Sequence, residues 1–120
     1  MARILFVDDS RDNADTLATF FGLLGHETEV AYDGECALEL TAGFTPDIAF
    51  IDLAMPMLDG FDTAKAFRSQ FGDNAILVAL TGQQRDRAHV EAAARAGFDG
   101  YLQKPARASD LVEIVNALPH

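Results

Sequence analysis

Residues 3–9 read Arg-Ile-Leu-Phe-Val-Asp-Asp, an apolar run that ends abruptly in two acidic residues. Such a run predicts a buried β-strand, because a strand covered on both faces does not alternate polar with apolar side chains. Short apolar runs of this kind recur along the chain, and a segment of helical periodicity follows each one. The predicted strands comprise residues 3–7, 28–31, 47–52, 75–80 and 100–103.

Helical segments separate these runs. In the first segment, apolar side chains recur every three or four positions from Ala14 to Leu24, and Gly25 is predicted to end the helix. In the last, Ser109 is predicted to cap a helix that continues to Leu118. The remaining predicted helices span residues 36–41, about 61–71 and about 84–96.

Alternation of five strands with five helices predicts an α/β fold, a doubly wound (βα)5 sandwich of the flavodoxin-like class. Parallel neighbours need crossover connections, and helices supply them here. Right-handed crossovers with helices on both faces favour the strand order 2-1-3-4-5. At 120 residues the chain is expected to form one domain, residues 1–120. Ligands of such sheets bind at the carboxyl ends of the strands.

The distribution of charge argues against some classes of function. The net charge is −10, and residues 1–60 contain 12 acidic but only two basic residues, whereas residues 61–120 contain seven of each. This excess would repel a phosphate backbone, so direct nucleic-acid binding is not expected, while a bound cation is. No apolar run approaches the ~18 residues that cross a membrane, and no signal peptide is recognisable. The single Cys36 is expected in the core, and the cytoplasm is the expected location.

Polar residues stand where the predicted strands end. Asp8 and Asp9 follow the first strand, Asp52 ends the third, Thr81 follows the fourth and Lys104 the fifth. With the expected strand order, they converge on one pocket although they come from distant segments. Three carboxylates within about 5 Å repel by roughly 3 kcal/mol per pair at an effective dielectric constant of ~20, so a cation must join them. Mg²⁺ suits such oxygen ligands, and Mn²⁺ is an alternative.

The same residues have the chemistry of a phosphoryl acceptor. A cation and the Lys104 ammonium on opposite sides of one carboxylate would clamp an incoming phosphoryl group, with the Thr81 hydroxyl donating to a third oxygen. Asp52 would then be the nucleophile and form an aspartyl phosphate. It needs no general base, because a carboxylate is already ionised at neutral pH.

These residues and their neighbours resemble the receiver domain of two-component response regulators over essentially the whole chain. The resemblance is to single-domain, chemotaxis-regulator-like receivers, with some likeness to receivers of hybrid kinases. It implies that Asp52 accepts a phosphoryl group from a phosphohistidine of a sensor histidine kinase or a phosphotransfer protein. It also implies a signalling protein with only weak self-phosphorylation and autodephosphorylation activity. The matching residues are Asp8-Asp9, Asp52 with Met55-Pro56 and Asp59-Gly60, Thr81-Gly82, and Lys104-Pro105.

The resemblance implies a role for each metal ligand. Asp9 and Asp52 would bind Mg²⁺ directly, together with the backbone carbonyl of Ala54. Asp8 would act mostly through water.

It also implies a switch. Thr81 and Tyr101 match the pair that responds to phosphorylation, in which the hydroxyl moves toward the phosphoryl oxygens and the aromatic ring turns inward. The surface formed by helix four, strand five and helix five would then change its affinity for a downstream protein partner. Pro105 is expected to follow a cis peptide bond.

Three alternatives fit parts of the pattern. A flavodoxin-like redox carrier needs a Ser/Thr/Gly-rich phosphate loop after strand one, where this chain is acidic. An aspartyl-nucleophile phosphatase carries its nucleophile on strand one with the two acids separated by one residue, whereas here they are adjacent. A receiver-shaped binding module that has lost phosphorylation is the strongest alternative, and the intact Asp52, Thr81 and Lys104 argue against it.

Overall fold

A computed structural model of the chain describes residues 1–53, 60–72, 74–82, 87–104 and 107–118. Five strands and five helices alternate along it, and each predicted element is present within a few residues of its expected ends. The strands are β1 (Arg3–Val7), β2 (Glu27–Ala31), β3 (Ile48–Asp52), β4 (Ile76–Thr81) and β5 (Gly100–Gln103). The helices are α1 (Arg11–Leu23), α2 (Gly34–Leu40), α3 (Gly60–Phe71), α4 (Arg87–Ala96) and α5 (Ala108–Asn116).

The strands form one parallel sheet in the order β2-β1-β3-β4-β5, which confirms the predicted fold. In the register, Val7 lies beside Ile51, one residue before Asp52. Because all strands run in the same direction, the residues that follow them emerge at one edge of the sheet. We refer to this edge as the carboxyl edge; it carries Asp8, Asp52 and Thr81.

Apolar side chains fill both faces of the sheet. Helices α2, α3 and α4 pack on one face, and α1 and α5 pack on the other. All five residues of β3 are buried, which explains why its sequence shows no polar alternation. On the α1 side, the Phe6 ring stacks on Phe50 with 5.6 Å between centroids and lies 5.7 Å from Phe21. No helix in the described part of the chain is both long and apolar enough to span a membrane.

Two details of the helix starts differ from the sequence interpretation. The N-cap of α5 is Arg107 and not Ser109, because the Asp110 carboxylate accepts a hydrogen bond from the Arg107 backbone N–H at 3.2 Å. The expectation of a core position for Cys36 is also wrong, since Cys36 is exposed in the first turn of α2. There Asp33 accepts a hydrogen bond from the Cys36 N–H at 2.7 Å, and its hydrogen bond with the thiol raises the pKa of Cys36.

Helix α3 begins in direct contact with the end of β3. The Gly60 N–H donates to the Leu53 carbonyl at 3.3 Å. A Cβ atom at position 60 would lie 2.5 Å from the Asp52 carbonyl oxygen and 2.7 Å from the Leu53 Cα, closer than real side chains approach. Glycine at this position therefore lets α3 touch the backbone that carries Asp52.

Arg68 of α3 holds together the opposite edge of the sheet. Its Nε donates to the carbonyl of Gly97 at 2.9 Å, and its Nη1 donates to the carbonyls of Gly72 at 2.8 Å and Ala75 at 2.6 Å. Its Nη2 pairs with the carboxylate of Asp99 at 2.5 Å. One side chain thus joins the ends of α3 and α4 to the segments that enter β4 and β5.

Candidate functional site

Three carboxylates meet at the carboxyl edge. One oxygen each from Asp8, Asp9 and Asp52 lies within 4.8 Å of the other two. Asp8 and Asp52 expose only 2% and 4% of their surfaces, whereas Asp9 is exposed. The cluster is therefore embedded in the protein on one side and open to solvent on the other.

The turn from β1 into α1 fixes the position of Asp8. Its backbone N–H donates to the Ala31 carbonyl at 3.1 Å and so extends the pairing of β1 with β2 by one residue. Its Oδ1 accepts a hydrogen bond from the Ser10 N–H at 2.9 Å. These two bonds aim the other oxygen, Oδ2, at the neighbouring strand exits.

Lys104 contacts two of the three acids. Its Nζ lies 3.1 Å from Oδ2 of Asp8 and 3.2 Å from Oδ2 of Asp52. Burial of the side chain acts to lower the pKa of Lys104, but the hydrogen bond to Asp8 and the charges of Asp52 and Asp8 outweigh it and raise that pKa. Lys104 is therefore a cation at neutral pH, and its backbone N–H donates to the Thr81 carbonyl at 2.5 Å.

The donor set of the cluster fits a hard divalent cation. Its three side chains offer only carboxylate oxygens, which Mg²⁺ prefers in proteins together with water. Three carboxylates and one ammonium leave two negative charges, which one divalent cation balances. The exposed side of Asp9 gives such an ion a route from solvent.

Thr81 and Tyr101 lie on the two neighbouring strands β4 and β5. Thr81 is 2% exposed at the end of β4, and Tyr101 is 8% exposed two positions before the end of β5. The Tyr101 ring lies inward and lines a cavity of about 120 Å³ with Val90 and Ala93 of α4. No described residue makes a hydrogen bond to its buried hydroxyl.

The profile of the response regulator receiver domain family matches residues 4–116 of the chain. The chain belongs to this family. Receivers are signalling domains and not typical enzymes, and the three acids with a lysine at the strand exits agree with that assignment.

Individual relatives agree with the family. The chain is 37% identical over 116 residues to the response regulator MprA of Mycolicibacterium vanbaalenii, an alignment that covers 97% of the chain and 49% of MprA. The chain thus spans about half the length of this relative. Its structure matches the Vibrio cholerae chemotaxis protein CheY4 with a TM-score of 0.91 and 28% identity, covering 99% of each chain. It also matches TrrA of Thermotoga maritima, solved in complex with Mg²⁺ and BeF, with a TM-score of 0.83 and 29% identity, covering 99% of this chain and 100% of TrrA.

The structure brings Asp8, Asp9, Asp52 and Lys104 of this receiver together, as the positions of the strand exits predict. Their roles remain predictions. Several residues of the resemblance lie outside the described part of the chain: Ala54 with its carbonyl, Met55-Pro56, Asp59, and Pro105 with its expected cis peptide bond.

Three side chains beside the site of this receiver, Arg11, Tyr32 and Asp15, form a contact group that was not predicted from the sequence. The guanidinium carbon of Arg11 lies 4.2 Å from the centroid of the Tyr32 ring. The Tyr32 hydroxyl donates to the Asp15 carboxylate at 2.6 Å, and this hydrogen bond raises the pKa of Tyr32. The only sequence signal is that Arg11 and Asp15 are four positions apart, a spacing that predicts a direct ion pair and not an intervening ring.

Proposed function

We propose that this receiver is the phosphoacceptor of a two-component phosphorelay and that Asp52 takes the phosphoryl group. The observation that carries the proposal is the position of Asp52, a buried carboxylate 3.2 Å from the Lys104 ammonium and beside two further acids. A structural role alone does not explain three clustered acids that need an added cation.

The donor in this proposal is a phosphohistidine of a sensor histidine kinase or a histidine phosphotransfer protein. An oxygen of Asp52 forms a bond to phosphorus while the donor's phosphorus–nitrogen bond breaks, and the imidazole keeps the electron pair. Lys104 stabilises the negative charge on the phosphoryl oxygens, and the Thr81 hydroxyl donates a hydrogen bond to one of them. Weak self-phosphorylation from small donors and slow hydrolysis of the resulting acyl phosphate are the only enzymatic activities proposed.

Asp9 and Asp52 are the proposed side-chain ligands of Mg²⁺, or of Mn²⁺ in its place, with the Ala54 carbonyl as a backbone ligand and with Asp8 acting mostly through water. The bound cation would neutralise phosphoryl oxygens during transfer. The two uncompensated negative charges of the cluster support this, as does the similarity to TrrA, whose solved structure contains Mg²⁺ and BeF.

The proposed output is a change in the surface formed by α4, β5 and α5, read by a downstream protein. Thr81 and Tyr101 are the proposed switch pair. Their support is their placement: Thr81 is buried at the carboxyl edge, and Tyr101 is buried on the adjacent strand against α4. The same proposal includes one domain over residues 1–120, a cytoplasmic location, and neither direct nucleic-acid binding nor membrane insertion.

Phosphorylation by a small donor tests the proposal. Incubation with acetyl phosphate and Mg²⁺ should add one phosphate by intact mass spectrometry, and Asp52→Asn should abolish the addition. Asp47→Asn is the matched control, because Asp47 lies just before the other end of β3, where it bonds the Arg3 N–H at 2.8 Å. Asp52→Asn protein labelled as fully as the wild type would refute the role of Asp52.

A further inference from the structure

Arg11 is held in place without an ion pair. Its guanidinium lies over the Tyr32 ring, and Tyr32 is in turn fixed by its hydrogen bond to Asp15. Among the described residues, none accepts a hydrogen bond from the Arg11 guanidinium or forms a salt bridge with it. The stacked group therefore keeps its N–H donors available while its plane is fixed.

The stack of Arg11 on Tyr32 lies beside the three carboxylates of the candidate site. Arg11 is the first residue of α1 and comes two positions after Asp9. Tyr32 directly follows Ala31, whose carbonyl accepts the hydrogen bond from the Asp8 N–H at 3.1 Å. Both residues of the stack thus lie at the carboxyl edge, in the segments that follow β1 and β2, beside the carboxylates.

Basic side chains are rare in the half of the sequence that contains Arg11. Only Arg3 and Arg11 oppose the 12 acidic residues of the first 60 positions, and Arg3, at the opposite edge, pairs with Glu27 at 3.2 Å. A phosphoryl donor is itself an anion, so this half of the surface repels it. A fixed guanidinium offers the planar fork that pairs with phosphate oxygens and loses little side-chain entropy on binding.

We propose that Arg11, held on Tyr32, is a docking residue for the phosphoryl group of the incoming donor at the rim of the pocket. This inference rests on the proposed function. Arg11 acts before the transfer: it raises the occupancy of the anionic donor beside Asp52, and it takes no part in breaking or making the bonds to phosphorus. It is a positioning residue whose effect depends on charge and is therefore screened by salt.

Acetyl phosphate is the probe. The bimolecular rate constant for phosphorylation is measured by intact mass at saturating Mg²⁺, at low salt and at about 0.5 M salt, where the Debye length falls below ~5 Å. At low salt Arg11→Gln should slow the reaction about two- to fourfold, the effect expected for the loss of one solvent-exposed charge pair. At high salt the two rates should converge.

Four variants separate the contributions of charge, stacking and fold. Arg3→Gln makes the same charge change at the opposite edge and should match the wild type. Arg11→Lys keeps the charge and should recover most of the low-salt rate. Tyr32→Phe keeps the ring but loses its hydrogen bond to Asp15 and should slow the reaction only slightly. Tyr32→Leu removes the stack but leaves the charge of Arg11, so its rate should lie between those of the wild type and Arg11→Gln. Far-UV circular dichroism and melting temperature check that each variant is folded.

Equal low-salt rates for wild type and Arg11→Gln would overturn the inference, as would a difference that does not shrink with salt. A deficit in Arg3→Gln as large as that in Arg11→Gln would also overturn it, since net charge alone would then be responsible. A wild-type rate in Tyr32→Leu would eliminate the stack from the explanation. A wild-type chain that takes up no phosphate refutes the proposed function itself, whereas a labelled wild type with an unaffected Arg11→Gln refutes only the docking role.

Discussion

Replacing Arg68 by methionine should lower the free energy of unfolding by about 3 kcal/mol, because hydrogen bonds to a charged group contribute about 1.5–3 kcal/mol each when they are shielded from water. Methionine keeps an apolar stem in the same place and removes all four contacts. The contacts to Gly97 and Ala75 account for most of the loss, since Ala75 is buried and the arginine side chain is only 18% exposed. The Asp99 carboxylate is 50% exposed, so its ion pair adds at most about 1 kcal/mol.

Urea denaturation of wild type and Arg68→Met measures this loss, and the melting temperature should fall by about 10 °C. Arg95→Met is the matched control, because Arg95 is 79% exposed and contacts only Glu91 among the described residues, so its change should stay within about 0.5 kcal/mol. Asp99→Asn keeps a carbonyl oxygen that can accept from the Leu77 N–H, which lies 3.0 Å from Asp99 Oδ2, so this substitution should cost about 1 kcal/mol or less. An Arg68→Met loss below about 1 kcal/mol, or an Asp99→Asn loss equal to that of Arg68→Met, would show that the carbonyl contacts do not stabilise this edge.

Three further predictions concern the metal site, the titration of His26 and the buried hydroxyl of Tyr101. Mg²⁺ should stabilise the wild type by about 1.4 kcal/mol when its concentration is ten times the Kd. Lys104→Met removes the ammonium from Asp8 and Asp52, so without Mg²⁺ it should melt at a lower temperature, and its melting temperature should rise more than that of the wild type at the same Mg²⁺ concentration. An equal rise would argue against a shared charge cluster. Burial and the charged amino terminus lower the pKa of His26 from 6.5, so the folded chain binds this proton less readily than the unfolded chain. Wild-type stability should therefore fall relative to His26→Gln as the pH drops below 6.5, and denaturation midpoints that stay parallel across this range would contradict the shift. Tyr101→Phe removes a buried hydroxyl without a partner among the described residues and should raise the free energy of unfolding by about 1 kcal/mol; a loss in urea denaturation would mean that the hydroxyl is satisfied.

The order of the elements and the convergence of the acids could be predicted from the sequence because both follow from local patterns. An apolar run such as residues 48–51 predicts a buried strand by itself, and parallel strands bring their exits to one edge whatever the distance along the chain. The lysine at residue 104 and the acids at residues 8 and 52 were predicted to meet on this basis alone.

The errors and omissions involve choices that a local pattern leaves open. α2 contains only seven residues, too few for periodicity to decide whether Cys36 or its buried neighbour Ala37 faces the core. At α5, a serine at position 109 is a good N-cap by type, but the acid at position 110 caps the helix at Arg107, two residues earlier. The stack of Arg11 on Tyr32 and the contacts of Arg68 with Gly97 and Asp99 join residues far apart in sequence, and no periodicity encodes them.

The contact between Lys104 and Asp8 joins residues 96 positions apart, and this affects how the protein is made. A nascent chain leaving the ribosome presents its 12 acids of the first 60 residues well before the lysine that pairs with two of them is synthesised. Until β5 adds to the sheet, the clustered carboxylates repel one another and oppose closure of the half-made fold. Lys104 lowers that repulsion once β5 has joined the sheet, so the pocket is completed only after residue 104 has been translated.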